Sequence, residues 1–266
     1  MKIHAAGSSH IGLKRNINED RILISQSLGL FAVADGIGGH KAGDVASQMI
    51  VDILEDYWSK LRGGETPPFI KDFSKDTPDT AKHLVNSILL SNAIIYEAKK
   101  MPLLNKMGST VTALVIDDNR MWVANVGDSP AYNFTDGELE KIYEDHSLET
   151  EQKALGIDDP DATESGVFKN VLTRAVGLEE GVVIYKTSLT PKSRDIILLC
   201  SDGLTKNTTI KNIGAILSDY SLSLTRKAEA LVDEANQGGG DDNISVILVE
   251  VLKAENSTKL RKIFNS

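Results

Sequence analysis

The chain has 266 residues, 41% of them hydrophobic and 25% charged, enough apolar material for a substantial core, which excludes a disordered or collagen-like protein. Its net charge of −9 argues against nucleic acid as a partner, because that requires a basic face against phosphate. The single cysteine, Cys200, excludes an intramolecular disulfide framework, a CxxC redox pair and a cysteine-rich zinc site, and its apolar surroundings predict a buried, inert thiol. No run reaches the roughly 18–20 apolar residues of a membrane span, and residues 1–10 lack the apolar stretch of a signal peptide. The chain therefore reads as a soluble, cytoplasmic protein without a membrane partner.

In chain order, strands are predicted at residues 21–27 and 30–34, where β-branched and aromatic residues alternate around the turn Leu28-Gly29. A first helix spans about 42–61 on a broad apolar face that includes Val45, Met49, Leu54, Tyr57 and Trp58. Gly63-Gly64 and Pro67-Pro68 mark a loop before a second helix at about 80–100, with Leu84, Ile88, Leu89 and Ile95 on one side. Further strands follow at 110–116, 121–126, 182–187, 196–200 and 244–251, several joined by short turns such as Asp117-Asp118-Asn119 and Thr135-Asp136-Gly137. Short turns favour antiparallel pairing over repeated βαβ units. A last helix at about 224–236 stops at Gly238-Gly239-Gly240. The organisation is one α+β domain over residues 1–252, followed by a short polar and basic tail over 253–266.

Aspartates stand where the apolar strands meet loops. Asp35-Gly36 ends the run Leu30–Ala34, Gly127-Asp128 follows Val126, Ser201-Asp202 follows Cys200, and Asp241-Asp242 precedes the strand that begins at Ile244. One such junction is a turn; four can place several carboxylates at one edge of a sheet core. Two carboxylates roughly 4 Å apart repel by about 4 kcal/mol at an effective dielectric of about 20, so protons or cations must neutralise them. An all-oxygen donor set selects a hard ion such as Mg²⁺ or Mn²⁺, and five scattered histidines without HExxH spacing make zinc a poor candidate. Three aspartates against two divalent ions leave one positive charge, which attracts phosphate; this is the logic of a two-metal hydrolase. A second polar cluster, Arg15 to Asp20, precedes the first predicted strand. Arg15 can fork onto a phosphate, while Glu19 and Asp20 can hold ion-bound water. The Gly36-Ile37-Gly38-Gly39 turn has a dinucleotide-like setting, but Lys41 stands where the third glycine of GxGxxG would fall and Asp35 would repel a pyrophosphate.

The sequence resembles the metal-dependent protein phosphatases (the PPM family, or type 2C serine/threonine phosphatases) in their bacterial form. The stretches that carry the resemblance are RNINED (15–20), VADGIGGHKAGDVAS (33–47), MGSTVTAL (107–114), ANVGDSPAY (124–132), DHS (145–147), NVLTRAVG (170–177), LLCSDGLT (198–205) and GGDDNISVILVEV (239–251). The resemblance implies an αββα sandwich of two packed antiparallel sheets flanked by helices, with a short flap beside the site. It implies that Asp35 bridges two ions, that the Gly36 carbonyl ligates one of them, and that Asp202 and Asp242 complete the other. Glu19 and Asp20 would act through water, and Asp128 with Asp202 would hold a weaker third ion. Arg15 matches the arginine that holds substrate phosphate, and His40 the histidine that protonates the leaving alkoxide. The implied activity is hydrolysis of phosphoserine and phosphothreonine by a metal-bound hydroxide, with Mn²⁺ or Mg²⁺ as cofactor. A monomer acting on phosphoproteins against a serine/threonine kinase is implied with it. A catalytically dead relative would be expected to have lost a metal aspartate, whereas Asp35, Asp202 and Asp242 are all present. The chain departs from the family pattern at Pro130, where arginine is usual, at Asp44, where glutamate is usual, and in residues 148–169, which match the flap but carry the acidic run Asp158-Asp159-Pro160-Asp161.

Overall fold

The computed structural model describes residues 1–38, 42–143 and 175–253; residues 144–174, which include the flap match, and the tail over 254–266 lie outside it. Its strands are β1 (Lys2–His10), β2 (Asp20–Ser25), β3 (Leu30–Ile37), β4 (Gly108–Ser109), β5 (Val111–Asp117), β6 (Arg120–Val126), β7 (Ala131–Thr135), β8 (Glu138–Lys141), β9 (Tyr185–Leu189), β10 (Ile196–Cys200) and β11 (Ile244–Lys253). The helices are α1 (Ala42–Arg62), α2 (Asp79–Ala98), α3 (Asp202–Asn207), α4 (Ile210–Ser218) and α5 (Leu224–Gln237). One sheet has the order β1-β11-β10-β7-β8 and the other β2-β3-β5-β6-β9, with β4 against β3. Every pairing between these strands is antiparallel.

The strands are continuous apolar runs because both of their faces are covered. On β3, Phe31 and Val33 point into the layer between the sheets, while Leu30, Ala32 and Ala34 point at α1 and α2. On β10, Ile197 and Leu199 face the other sheet, while Ile196, Leu198 and Cys200 face the layer of α4 and α5. The period of two assigns successive residues to opposite cores. The result is the four-layer αββα sandwich that the resemblance implies, with three apolar layers among the described residues.

Several elements escape the periodicity. The β1 sequence KIHAAGSSH has little β-branched character, yet it pairs with β11 along its whole length; the long edge of β11 makes it a strand. The hairpin β7–β8 grows from the predicted Asp136-Gly137 turn, where both residues take positive φ, 52° and 87°, as a type I′ turn requires. Helix α3, six residues long, is too short to show a period, and the nine residues of α4 bury only Ile213 and Leu217, one turn apart. The predicted strand at 182–187 is shifted to Tyr185–Leu189, where β6 offers its free edge. No helix among the described residues is long and apolar enough to cross a membrane.

Helix α1 carries the load of covering the second sheet: Ile50, Leu54 and Tyr57 are at most 2% exposed. Leu54→Ala is expected to lower the unfolding free energy by about 2–5 kcal/mol, measured as a lower denaturant midpoint with an unchanged slope.

Candidate functional site

Antiparallel order determines which strand ends meet. Asp20 opens β2 directly opposite Asp35 near the end of β3, so both side chains leave the same face of the sheet. Cys200, the last residue of β10, pairs with Val246 near the start of β11, which brings Asp202 at the head of α3 beside Asp242. The end of β6 pairs with the start of β5, and Thr110 N donates to Asp35 O at 2.9 Å, which sets Asp128 at the same edge. Together Arg15, Glu19, Asp35, Gly36, Asp128, Lys206, Asp202 and Asp242 line one pocket of about 320 Å³. Asp20 lies buried just behind it, 2% exposed. Asp241, the alternative at the GGDDN motif, is outside, paired with Lys14 at 3.3 Å on the surface. His40 lies outside the described residues.

A buried polar frame holds these groups. Ser201 Oγ donates to Asp20 Oδ2 at 2.7 Å and accepts from Ser245 N at 2.9 Å. Asn243 ties the Arg15 loop to β11: its Oδ1 accepts from Glu19 N at 2.8 Å, and its Nδ2 donates to Ile11 O and Ile17 O at 2.9 and 3.0 Å. Thr110 Oγ1 accepts from Asp35 N at 3.1 Å and bonds Ser129 Oγ at 2.7 Å. The Ser129 carbonyl accepts from Thr112, Asn125 and Tyr143, so the Asp128 loop is anchored through Ser129, next to Pro130. The chain makes room for itself at Gly36 and Gly43: a Cβ at Gly36 would stand 2.2 Å from the Gly43 carbonyl oxygen, so β3 and the start of α1 touch backbone to backbone. Asp44, in the first turn of α1, pairs with Arg21.

The charges are unbalanced within this frame. Burial, and then the neighbouring Asp20, Asp202, Asp242 and Asp128, hold Asp35 well above the usual carboxylate range. Asp202 is raised chiefly by burial, against the pull of Lys206. Burial raises Asp20 from 3.8 to about 7; bonds from Ser201 and Ser245 oppose the shift, and the Asp202 and Asp242 charges add to it. Asp20 Oδ1, Asp202 Oδ1 and Glu19 Oε1 are buried without a hydrogen-bond partner. Buried oxygens that lack donors, on carboxylates that repel each other, suit divalent cations with oxygen preference. The donors share a pocket without closing into a finished cage: among the described residues no three His, Cys, Asp or Glu side chains stand in ion-holding geometry. Cations of the chain sit on two of them instead. Arg15 Nη2 is 2.8 Å from Asp242 Oδ1, and Lys206 Nζ is 2.5 Å from Asp202 Oδ2 and 3.5 Å from Asp242 Oδ2.

Lys206 and the frame residues Thr110, Ser201 and Asn243 are the parts of the site that sequence reasoning missed. The spacing of four from Asp202 to Lys206 is a helical signal, but it is readable only once α3 is known to be a helix.

An αββα sandwich with an acidic, oxygen-lined pocket and an arginine at its rim defines a protein built to place hard cations against an anion. The chain belongs to the protein phosphatase 2C family, which it matches over residues 6–248. It is 36% identical over 253 residues to the serine/threonine phosphatase stp of Listeria welshimeri, an alignment covering 93% of this chain and 96% of that one. Its structure is similar to the serine/threonine phosphatase of S. agalactiae, with a TM-score of 0.82 at 30% identity over 94% of this chain and 100% of the other. It is also similar to the catalytic domain of the serine/threonine phosphatase PstP solved with two manganese ions, with a TM-score of 0.76 at 29% identity over 94% and 99% of the two chains.

The raised Asp20 carries a stability signature. A carboxyl whose folded pKa exceeds its unfolded value stabilises the fold below the unfolded value, and that contribution is lost as pH rises through the folded one. In chelator, Asp20→Asn is therefore expected to gain stability relative to the unsubstituted protein as pH rises from about 4 to about 7. Paired thermal melts across that window measure it; a constant difference would contradict the assignment.

Proposed function

We propose that this protein serine/threonine phosphatase hydrolyses phosphoserine and phosphothreonine monoesters of proteins in the pocket described above, with two divalent ions, Mn²⁺ or Mg²⁺, as cofactors. We place it as a monomer in the bacterial cytoplasm, opposing a serine/threonine kinase. The observation that carries the reading is the convergence of Asp35, Asp202 and Asp242 from three strand ends on one pocket with Arg15 at its rim, in a chain of this family. Asp35 and the Gly36 carbonyl, with Asp202 and Asp242, would hold the two ions; Glu19 and Asp20 would orient their water; Asp128 with Asp202 would hold a weaker third. Ions bound there would supply positive charge against the phosphoryl oxygens and lower the pKa of water toward neutrality.

The chain's own residues do the rest. Arg15, half exposed, presents a planar fork that matches two phosphate oxygens. Thr110 and Ser129 hold Asp35 and the Asp128 loop in place, which limits reorganisation as charge develops. His40, assigned by its motif alone, supplies the proton that the departing serine or threonine oxygen needs.

The test is phosphopeptide hydrolysis after chelation and re-addition of Mn²⁺ or Mg²⁺. Turnover is expected to vanish in chelator and return with either ion. Asp35→Asn, Asp202→Asn and Asp242→Asn are expected to lose nearly all turnover while remaining folded by circular dichroism, and Asp241→Asn to retain most of it. Full activity after metal stripping, or a sensitive Asp241 with a tolerant Asp242, would overturn the assignment.

Arg15 contributes to binding phosphate rather than metal. Arg15→Ala is expected to weaken phosphate-ester binding by roughly 1.5–3 kcal/mol, the scale of a charge-assisted hydrogen bond, seen as a raised KM. Calorimetric Mn²⁺ affinity should not fall. A collapse of Mn²⁺ binding with KM unchanged would contradict this role.

A further inference from the structure

Among the described residues, Lys206 is the one charged side chain lining this pocket that the phosphatase chemistry above does not use. It lies in α3 four residues after Asp202, and that spacing turns its ammonium back over the carboxylate that begins the helix. Its reach does not stop there: Nζ contacts Asp202 Oδ2 at 2.5 Å and Asp242 Oδ2 at 3.5 Å. One cation thus bridges two carboxylates from separate segments, the same two assigned above to a single divalent ion.

Asp242 is fully committed by these contacts. Its Oδ1 accepts from Arg15 at 2.8 Å and from Asn243 N at 2.9 Å, and its Oδ2 faces Lys206. A Mg²⁺ or Mn²⁺ ion approaches a carboxylate oxygen to about 2.0–2.2 Å, which an ammonium on the same oxygen blocks by contact and by charge. Asp202 keeps Oδ1 buried and without a partner, so half of the ion's donor pair is ready and the other half is held by a cation of the chain. Burial alone would lower the Lys206 pKa, but Asp202 and then Asp242 outweigh it and raise it, in keeping with an ammonium that the two carboxylates stabilise. The side chain is 41% exposed, so it can leave to solvent without any movement of the sheets.

We infer that Lys206 is an internal competitor for the divalent ion: its ammonium neutralises Asp202 and Asp242 until a metal displaces it, and it thereby sets the metal affinity of the pocket. The inference rests on the proposed metal centre. It makes Lys206 a positioning residue for the ligands, with two opposite effects. Without metal it relieves carboxylate repulsion and stabilises the fold; with metal it is the group that must be moved.

The test uses the full chain, Lys206→Met and the charge-preserving Lys206→Arg, with Mn²⁺ alone as the probe. Calorimetry is expected to give Lys206→Met an Mn²⁺ affinity about two- to fivefold tighter than the unsubstituted protein, the scale of one partly screened competing charge, and Lys206→Arg an affinity near it. In chelator Lys206→Met is expected to melt below the unsubstituted protein, with the gap closing or reversing in saturating Mn²⁺. A merely structural helix pair would leave Mn²⁺ affinity unchanged and the melting gap the same in both conditions, which overturns the inference. Should Lys206→Met not fold, Lys206→Gln takes its place. The unsubstituted protein gives a second readout: Mg²⁺ is expected to shift the ¹⁵N signal of the one lysine ammonium that Lys206→Arg lacks, and an unmoved signal overturns the inference. If the unsubstituted chain takes up no Mn²⁺, the metal centre falls and this inference with it; if it does and Lys206→Met binds no tighter, only the lysine inference falls.

Discussion

Mutual repulsion among buried carboxylates is the constraint on which the rest of this structure turns. Asp20, Asp35, Asp202 and Asp242 stand within electrostatic reach of one another in a site where burial already opposes charge. Held by the ends of buried strands they cannot turn to water, so protons or opposite charge must come to them. The arginine, the lysine and the proposed divalent ions are three answers to that one demand.

The apolar layers make the demand stand. The strands that deliver the aspartates are covered on both faces, by the opposite sheet on one side and by helices on the other. A close-packed strand does not slide or swing, so its last residue is aimed as firmly as its first. Between the strand ends, hydroxyls and amides convert that rigidity into placement: Ser201 on Asp20, Thr110 on the Asp35 amide, Asn243 on the loop that carries Arg15. Such groups bear no charge and do no chemistry, yet they hold the loops against the repulsion they border. Phosphoryl transfer depends on just this kind of prearranged electrostatics, since the reacting group needs stabilised charge more than any covalent partner.

Pro130 follows the GDS motif where the resemblance implies an arginine, and the loop is nevertheless fixed. The Ser129 carbonyl takes three side-chain donors, and the Pro130 carbonyl accepts the Cys200 amide at 3.2 Å. Lys206 adds a cation to the same pocket, on Asp202 and Asp242.

Much of this was legible in the residues. Runs such as Ile196–Cys200 and Phe31-Ala32-Val33-Ala34 announce strands buried on both faces, because no alternating pattern leaves a side for water. The positions of Asp35, Asp128, Asp202 and Asp242 at the ends of those runs announce a shared edge, since a sheet places its strand ends in rows. Local chemistry also supplied the Asp136-Gly137 turn and the length of α1. The rest is non-local. The β1 strand exists because β11 has an edge to pair with, and nothing in KIHAAGSSH says so. Asp242 and Asp241 are neighbours of equal chemistry; the register of the motif singles out Asp242, and the path of the chain into β11 is the physical reason, sending one into the pocket and the other to a surface lysine. The reach of Lys206 to Asp242 is likewise a tertiary fact, because it joins residues 36 positions apart that meet only where β10 and β11 end side by side. Sequence determined which residues are apolar, charged or able to turn; the order of strands in the sheets decided which of those charges must face each other.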